Sequence, residues 1–178
     1  MADASATPPL SPTTVAALLR AQATSLDAEL RALSPDLCRW RPGPDEWCVN
    51  ETLGHLIEAE KRGFAGRIRR FLTADDPQEQ GWDQTAVAAA RRDAEREGAD
   101  LLREFAALRE ESVLLVAGLL PAQLARQGEH DLVGRISADN LLHEWVHHDR
   151  NHVKQIFAIV QAYAWSGMGN CRRFSEPH

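Results

Sequence analysis

Residues 138–165 read ADNLLHEWVHHDRNHVKQIFAIVQAYAW, and this stretch decides the fold because it combines a long helical pattern with four of the seven histidines. Apolar residues recur along it at spacings of three and four, which is typical of an amphipathic helix. They are Leu141, Leu142, Trp145, Ile156, Ile159 and Tyr163. The pattern predicts one helix from about Ala138 to Trp165.

The histidines of this helix form two pairs with four-residue spacing, His143 with His147 and His148 with His152. Two histidines one helical turn apart can reach the same metal ion. At about 100° per residue, His152 falls roughly 20° from the centre of the apolar stripe and His148 roughly 60° away. His143 and His147 fall on the opposite, charged side. We therefore expect only the second pair to face inward.

An inward pair has two interpretations. The rings either bind a metal ion or are core histidines whose nitrogens bond to backbone or water. Because two side chains hold a metal weakly, the metal interpretation needs a third ligand, for which His55 is the candidate. His55 does not lie on the apolar stripe of its predicted helix, so periodicity alone does not identify it as a ligand. A solvated histidine is the open alternative. It shares one side of the predicted second helix with small residues, namely Thr52, Ala59, Gly63 and Gly66.

Before this stretch, apolar periodicity predicts three more long helices. They run from Ser11–Pro12 to about Leu33, from about Val49 to Leu72 and from about Gln84 to Leu120, with residues 84–97 as a separate arm of the last. Residues 121–137 are interpreted as a loop, and no useful strand-like alternation is found. Four long helices in one domain predict an all-α four-helix bundle. We expect a flexible arm at 1–10, the bundle at 11–165 and a tail at 166–178.

Composition narrows the class of protein. The 178 residues are 44% hydrophobic with a net charge of −6, which excludes the basic face of a nucleic-acid binder. Cys38, Cys48 and Cys171 are widely spaced and odd in number, which indicates free thiols in a reducing compartment. The opening MADASATPPLSPTT lacks the basic and apolar regions of a secretory signal, and no apolar run is long enough for a membrane span. A cytoplasmic location is the expectation.

Three motifs together resemble the DinB-like (DinB/YfiT) superfamily across residues 12–165. The first is Pro44-Asp-Glu-Trp47 followed by Glu51-Thr-Leu-Gly-His55-Leu-Ile-Glu-Ala-Glu60. The second is Gly128-Glu-His130 with Gly134-Arg-Ile-Ser137, and the third is His148-Asp-Arg-Asn-His152-Val-Lys-Gln155-Ile156. One departure is Cys48, where serine is usual, and this puts the cap of the second helix in doubt.

The resemblance implies a four-helix bundle with a long crossover between helices 2 and 3. It also implies one divalent metal ion, held by His55 from the second helix and by His148 and His152 from the fourth. Zinc is the first expectation, with nickel or iron as alternatives, because imidazole ligands suit all three. Bundles of this family are commonly dimeric, and the Ala-rich stretch at 85–97 is a candidate interface for a homodimer.

Three imidazoles leave a fourth coordination position, which is the arrangement of a reactive site. The resemblance implies a thiol-dependent S-transferase acting on a small molecule, with a low-molecular-weight thiol as co-substrate. A metal-dependent hydrolase and a non-catalytic, stress-related metal-binding protein are the alternatives. Glu58 is a candidate catalytic residue, against a solvated surface glutamate. Gln155 is a candidate cofactor-binding residue, against helix packing. Neither nucleic acid nor membrane is an expected partner.

Overall fold

The computed structural model describes residues 8–175, and its longest helix, α8, spans Ala138–Trp165 as the sequence predicts. A capping box starts this helix. The Ser137 side chain accepts a hydrogen bond from the Asn140 backbone, and the Asn140 side chain accepts one from the Ser137 backbone. Such reciprocal caps satisfy backbone donors that a helix leaves free at its first turn. The start of α8 is therefore fixed by its own sequence.

The first bundle helix, α1, spans Pro12–Ala32 and is capped by Ser11, as expected. A short helix α2 at Pro35–Arg39 follows. Of the predicted N-terminal arm, residues 1–7 lie outside the described residues. Leu10 is ordered against the bundle, because its backbone N–H donates to His143 Nε2 at 2.9 Å.

The second bundle helix is interrupted where the sequence predicts one continuous helix. It consists of α3 at Val49–Glu58, a π-helical turn at Ala59–Gly63 and α4 at Ala65–Thr73. A π turn holds one residue more than an α turn and so shifts the faces of the helix that follows. Cys48 precedes α3, and its backbone N–H is capped by Glu51 at 3.0 Å. The serine-to-cysteine departure therefore leaves this cap in place.

The third predicted helix, Gln84 to Leu120, is not continuous, and the structure separates residues 84–97 from the rest as the sequence suggests. It divides into α5 at Gln84–Arg91, a 3-10 turn at Asp93–Glu95 and α6 at Gly98–Ala117. The break falls at Arg92, whose φ of 52° is left-handed and ends an α-helix. Residues 74–97 thus form the long crossover between the second and third bundle helices.

The interpretation of residues 121–137 as a loop is also wrong. They contain α7 at Pro121–Leu124 and two antiparallel strands, β2 at Gln127–His130 and β3 at Gly134–Ser137. A two-residue strand β1 at Gln78–Glu79 pairs parallel to β2, so the sheet order is β1-β2-β3. The strands have two to four residues, too few to show the alternation that marks a strand in sequence.

The four long helices pack as a bundle in which α1 contacts α6 and α8, and α3 contacts the same two helices. The buried side chains form two clusters. One contains Phe64, Phe71 and Trp145, and the other contains Leu56, Phe105 and Ile156. On α8, His148 and His152 lie between Trp145 and Ile156 and hence between the two clusters. Within the described residues, no helix has the length and apolarity needed to cross a membrane.

Candidate metal centre

His55, His148 and His152 converge inside the bundle. One ring nitrogen from each lies within 4.8 Å of the corresponding nitrogen of the other two. The Nε2 atoms of His55 and His148 are 3.0 Å apart, and the His152 ring centroid is 4.4 Å and 4.5 Å from those of His55 and His148. Three nitrogens bound to one tetrahedral ion at about 2.0–2.1 Å lie roughly 3.4 Å apart. The donor set and its spacing therefore fit a single divalent ion.

The other two histidines of α8 lie away from this cluster. His147 is exposed and His143 is half-buried, with Nε2 accepting the hydrogen bond from the Leu10 backbone. The structure thus separates the inward pair from the outward pair, as the sequence predicts.

His55 is buried with only 6% of its surface exposed, although it lies off the main apolar stripe of its helix. The reason is tertiary, because the rings of His148 and His152 on α8 lie against it, with centroids 5.1 Å and 4.4 Å away. The ring of Trp47 lies against it, with centroids 5.3 Å apart. The alternative of a solvated His55 is therefore wrong. Periodicity in the sequence could not show which residues cover His55.

Burial keeps the imidazoles in the form that binds metals. Burial, together with the nearby rings of His152 and His148, lowers the pKa of His55 to about 3. Burial also lowers the pKa of His152, partly offset by the hydrogen bond that its ring donates to Gln155. A neutral imidazole has a free lone pair, whereas a protonated one has none. At neutral pH, His55 and His152 are therefore in the neutral form that can bind a cation.

Neighbouring groups determine which nitrogen of each ring is available. His152 Nδ1 donates to Gln155 Oε1 at 2.9 Å, and His148 Nδ1 lies 3.4 Å from Asp149 Oδ1. A donor role for Nδ1 places the lone pair on Nε2. Gln155, the candidate cofactor-binding residue, therefore contacts a ligand ring rather than lying apart from the cluster.

Asp149 belongs to a buried ionic network that joins α8 to a neighbouring helix. Arg109 Nη2 is 2.7 Å from Asp149 Oδ2 and 2.5 Å from Glu60 Oε1, and all three side chains are at most 2% exposed. Ser112 also bonds to Glu60. One sequence feature could have indicated Arg109: it lies four residues after Phe105 on the apolar face of α6. A charge in that position needs a buried partner.

Glu58, the candidate catalytic residue, is buried and ion-paired. Its Oε1 accepts from Arg91 at 2.7 Å, and its Oε2 is 2.5 Å from Arg62 Nη2. The alternative of a solvated surface glutamate is therefore wrong. Both of its oxygens are thus engaged by guanidinium groups.

Two cavities flank the histidine cluster. One, of about 580 Å³, is lined by Trp47 and by Gln155, the partner of His152. The other, of about 620 Å³, is lined by His148 itself and by Phe64 and Arg67. Both volumes are within the range of small-molecule sites. A small substrate has room on either side of the cluster.

The three cysteines are free thiols, as expected. Cys48 is buried, and burial raises its pKa to about 11, so it remains a thiol at neutral pH. Burial also raises the pKa of Cys38. Neither buried cysteine has the lowered pKa of a reactive thiolate.

The fold and cluster together define a class: a four-helix bundle with a three-histidine site between its second and fourth long helices. A sequence profile of the DinB superfamily matches residues 3–156, and the chain belongs to that superfamily. A similar solved structure is YfiT from Bacillus subtilis, with a TM-score of 0.79 and 17% sequence identity. The match covers 92% of this chain and 95% of YfiT. YfiT is described as a probable metal-dependent hydrolase with an unusual four-helix bundle topology. No protein in a search of curated sequences matches this chain significantly.

Proposed function

We propose that this protein is a metal-dependent hydrolase of a small molecule, with one divalent ion held by His55, His148 and His152. The observation that carries the proposal is the convergence of three imidazole nitrogens within 4.8 Å of one another, one from a buried histidine and two from partly buried ones. The description of YfiT as a hydrolase supports the reaction class, because the two proteins share the fold. Zinc is the first candidate ion, and nickel and iron also suit imidazole ligands.

The residues of the chain have distinct roles in this proposal. His55, His148 and His152 hold the ion and leave a coordination position for a small molecule. Gln155 orients His152 through Nδ1, and Trp47 shields His55 from solvent. When bound, the ion supplies Lewis acidity and lowers the pKa of a coordinated water or thiol.

A thiol-dependent transferase is the second candidate, and the contacts of Glu58 favour it. Both oxygens of Glu58 are engaged by arginines, so this carboxylate already has partners other than a nucleophile. Without help from Glu58, deprotonation of the nucleophile depends more on the ion. A thiol, with a pKa near 8.5, needs less help than water, with a pKa near 15.7. A low-molecular-weight thiol is the co-substrate in this case.

The test uses protein purified without a histidine tag, together with the variants His148→Gln and His147→Gln. His147 is a matched control because it is the adjacent histidine and is exposed. We expect one equivalent of metal in the unmodified protein and in His147→Gln, and a loss of metal in His148→Gln. Elemental analysis checks this expectation.

Turnover is then measured on ester and amide panels, with and without a thiol and an electrophile. Metal-dependent cleavage without thiol supports the hydrolase, and conjugation that requires thiol supports the transferase. Stoichiometric metal without either reaction supports the non-catalytic alternative. Absence of stoichiometric metal contradicts the whole proposal.

A further inference from the structure

The cavity of about 620 Å³ beside His148 is lined by charged and apolar side chains, most of which do not belong to the metal centre. It is enclosed by α4, the start of the crossover, the β2–β3 hairpin and the first turns of α8. Its lining includes one ligand histidine, one arginine of low exposure and several apolar side chains. The residues that matter here are Phe64, Arg67, Trp82, His130, Glu144 and His148.

Arg67 is fixed in position by its neighbours. Its Nη2 donates to the Gln80 carbonyl at 3.0 Å and to His130 Nε2 at 2.9 Å. His130 Nδ1 lies 3.1 Å from both the Leu132 backbone nitrogen and Asp131 Oδ1, so the ring is held between the hairpin turn and Arg67. The guanidinium also stands 5.5 Å from the Trp82 ring centroid. A side chain held in this way loses little entropy when a ligand binds.

The charge around Arg67 is incompletely balanced inside the protein. Glu79 lies between two arginines, and both of its oxygens accept from Arg70. Arg67 Nε is farther from it, at 3.4 Å from Oε2. Two guanidinium groups thus share one buried carboxylate, and the Arg67 side chain is only 12% exposed. The other nearby carboxylates, Asp131 and Glu144, are exposed, so water screens them.

The remaining walls are apolar and suit a flat organic group. They are formed by Phe64, Leu132, Val133, Ile136 and Leu141. Leu132 and Val133 lie at the hairpin turn and are 82% and 63% exposed, which leaves apolar surface at the cavity. Trp82 packs close to the π turn, because a Cβ on Gly63 would lie 3.0 Å from its ring. Its buried Nε1 has no hydrogen-bond partner among the described residues.

We propose that this cavity binds a small apolar carboxylic acid, with the carboxylate on Arg67 and the hydrocarbon body between Phe64 and the hairpin. A guanidinium binds a carboxylate with charge-assisted hydrogen bonds, and the apolar walls remove the rest of the ligand from water. The cavity reaches His148, so the acid is presented to the ion. This last step rests on the proposed function, whereas the binding of the acid does not.

The experiment compares two probes of nearly equal shape, 2-naphthoate and 2-naphthamide, by isothermal titration calorimetry. A charged hydrogen bond to Arg67 is expected to favour the carboxylate roughly tenfold over the amide. The variant Arg67→Gln removes the charge, so we expect the two probes to bind it equally. Arg69→Gln is the matched control, because Arg69 lies on the same helix and is half-exposed. We expect it to keep the tenfold preference.

Arg67 also contacts Glu79, so Arg67→Lys is included as a variant that preserves the charge if the glutamine variant does not fold. It is expected to bind 2-naphthoate several-fold more weakly and 2-naphthamide unchanged, because lysine lacks the planar fork. Equal binding of both probes to the unmodified protein overturns the inference, as does no binding of either. Retention of the full preference in the Arg67 variants also overturns it.

Each titration is repeated after chelation of metal. The cavity is formed by protein side chains, so the carboxylate preference is expected in both forms. If the preference is present but the protein holds no metal, the cavity inference stands and the proposed function fails. If metal and turnover are present but the preference is absent, the proposed function stands and the cavity inference fails.

Discussion

Gln155 Oε1 lies 2.9 Å from His152 Nδ1 and is its hydrogen-bond acceptor, three residues further along α8. This contact fixes the ring orientation and leaves Nε2 facing the other two histidines. Partners of this kind strengthen metal binding without touching the ion. The residue expected to bind a cofactor is therefore placed to act through a ligand histidine.

We expect Gln155→Ala to weaken zinc binding by roughly 10- to 100-fold while leaving one site per chain. The loss follows from a His152 ring that is free to rotate and to change tautomer. Competition with a chromophoric chelator measures the affinity. Gln161→Ala is the control, because Gln161 is exposed on the same helix. Equal affinities for the two variants would contradict the role assigned to Gln155.

The depressed pKa of His55 predicts how the metal-free protein responds to acid. Its pKa is about 3 in the folded protein and near 6.5 in an unfolded chain. Below pH 6.5 the unfolded chain therefore takes up a proton that the folded protein excludes. The free energy of unfolding falls as pH drops from about 6.5 towards 3, by about 2 kcal/mol for this group at pH 5.

Urea unfolding at pH 7 and pH 5, in the presence of chelator, tests this expectation. We expect the difference between the two pH values to shrink by about 2 kcal/mol in His55→Gln, because glutamine does not titrate. His147→Gln controls for the loss of an exposed histidine. A His55 variant with the full acid sensitivity of the unmodified protein would show that His55 does not cause it.

The parts of the fold with strong local patterns were predictable. The stripe from Leu141 to Ile159 identified α8 and separated its inward from its outward histidines, because a long helix repeats its pattern many times. The sheet was missed since its strands have at most four residues. The break at Arg92 depends on one left-handed residue, a conformation that arginine does not favour and the sequence does not show.

The residues of the candidate site were also predictable only in part. His148 and His152 follow from periodicity, whereas His55 was indicated by family resemblance. Its burial depends on contacts with Trp47 and with the histidines of α8, and contacts of this kind leave no periodic pattern in sequence. The engagement of Glu58 by Arg91 has the same origin. Long-range contacts of single polar residues are thus the part that local reasoning could not supply.

The docking of the crossover on α3 predicts a specific weak point at Gly54. A Cβ at this position would lie 1.9 Å from Asp93 Oδ2, which is buried in an ion pair with Arg91. We expect Gly54→Ala to lower the free energy of unfolding by roughly 1–3 kcal/mol, because the 3-10 turn must move. Urea unfolding of metal-free protein measures the change.

Gly167→Ala serves as the control for this substitution. The nearest atom to a Cβ there is the Ala164 carbonyl oxygen at 3.7 Å, an ordinary contact. Its effect is expected to stay within about 0.5 kcal/mol. If both alanine variants were equally stable, the crossover would not be closely packed on α3.

The buried network next to His148 gives the last prediction. Arg109 is the only arginine or lysine paired with Glu60 and Asp149 among the ion pairs of the described residues. Its charge lowers the pKa of Asp149 against the effect of burial, while burial raises the pKa of Glu60. We expect Arg109→Met to cost roughly 3–5 kcal/mol in urea unfolding at pH 7, because two carboxyl groups are left without a cation.

Arg103→Met is the control on the same helix, since Arg103 is exposed and pairs with the exposed Asp100. We expect its stability to change little, as exposed pairs contribute little. Adding Glu60→Gln and Asp149→Asn to Arg109→Met is expected to recover part of the loss, because the remaining groups carry no charge. A triple variant less stable than Arg109→Met alone would show that shape and hydrogen bonding, rather than charge compensation, hold α6 to α8 beside the histidines.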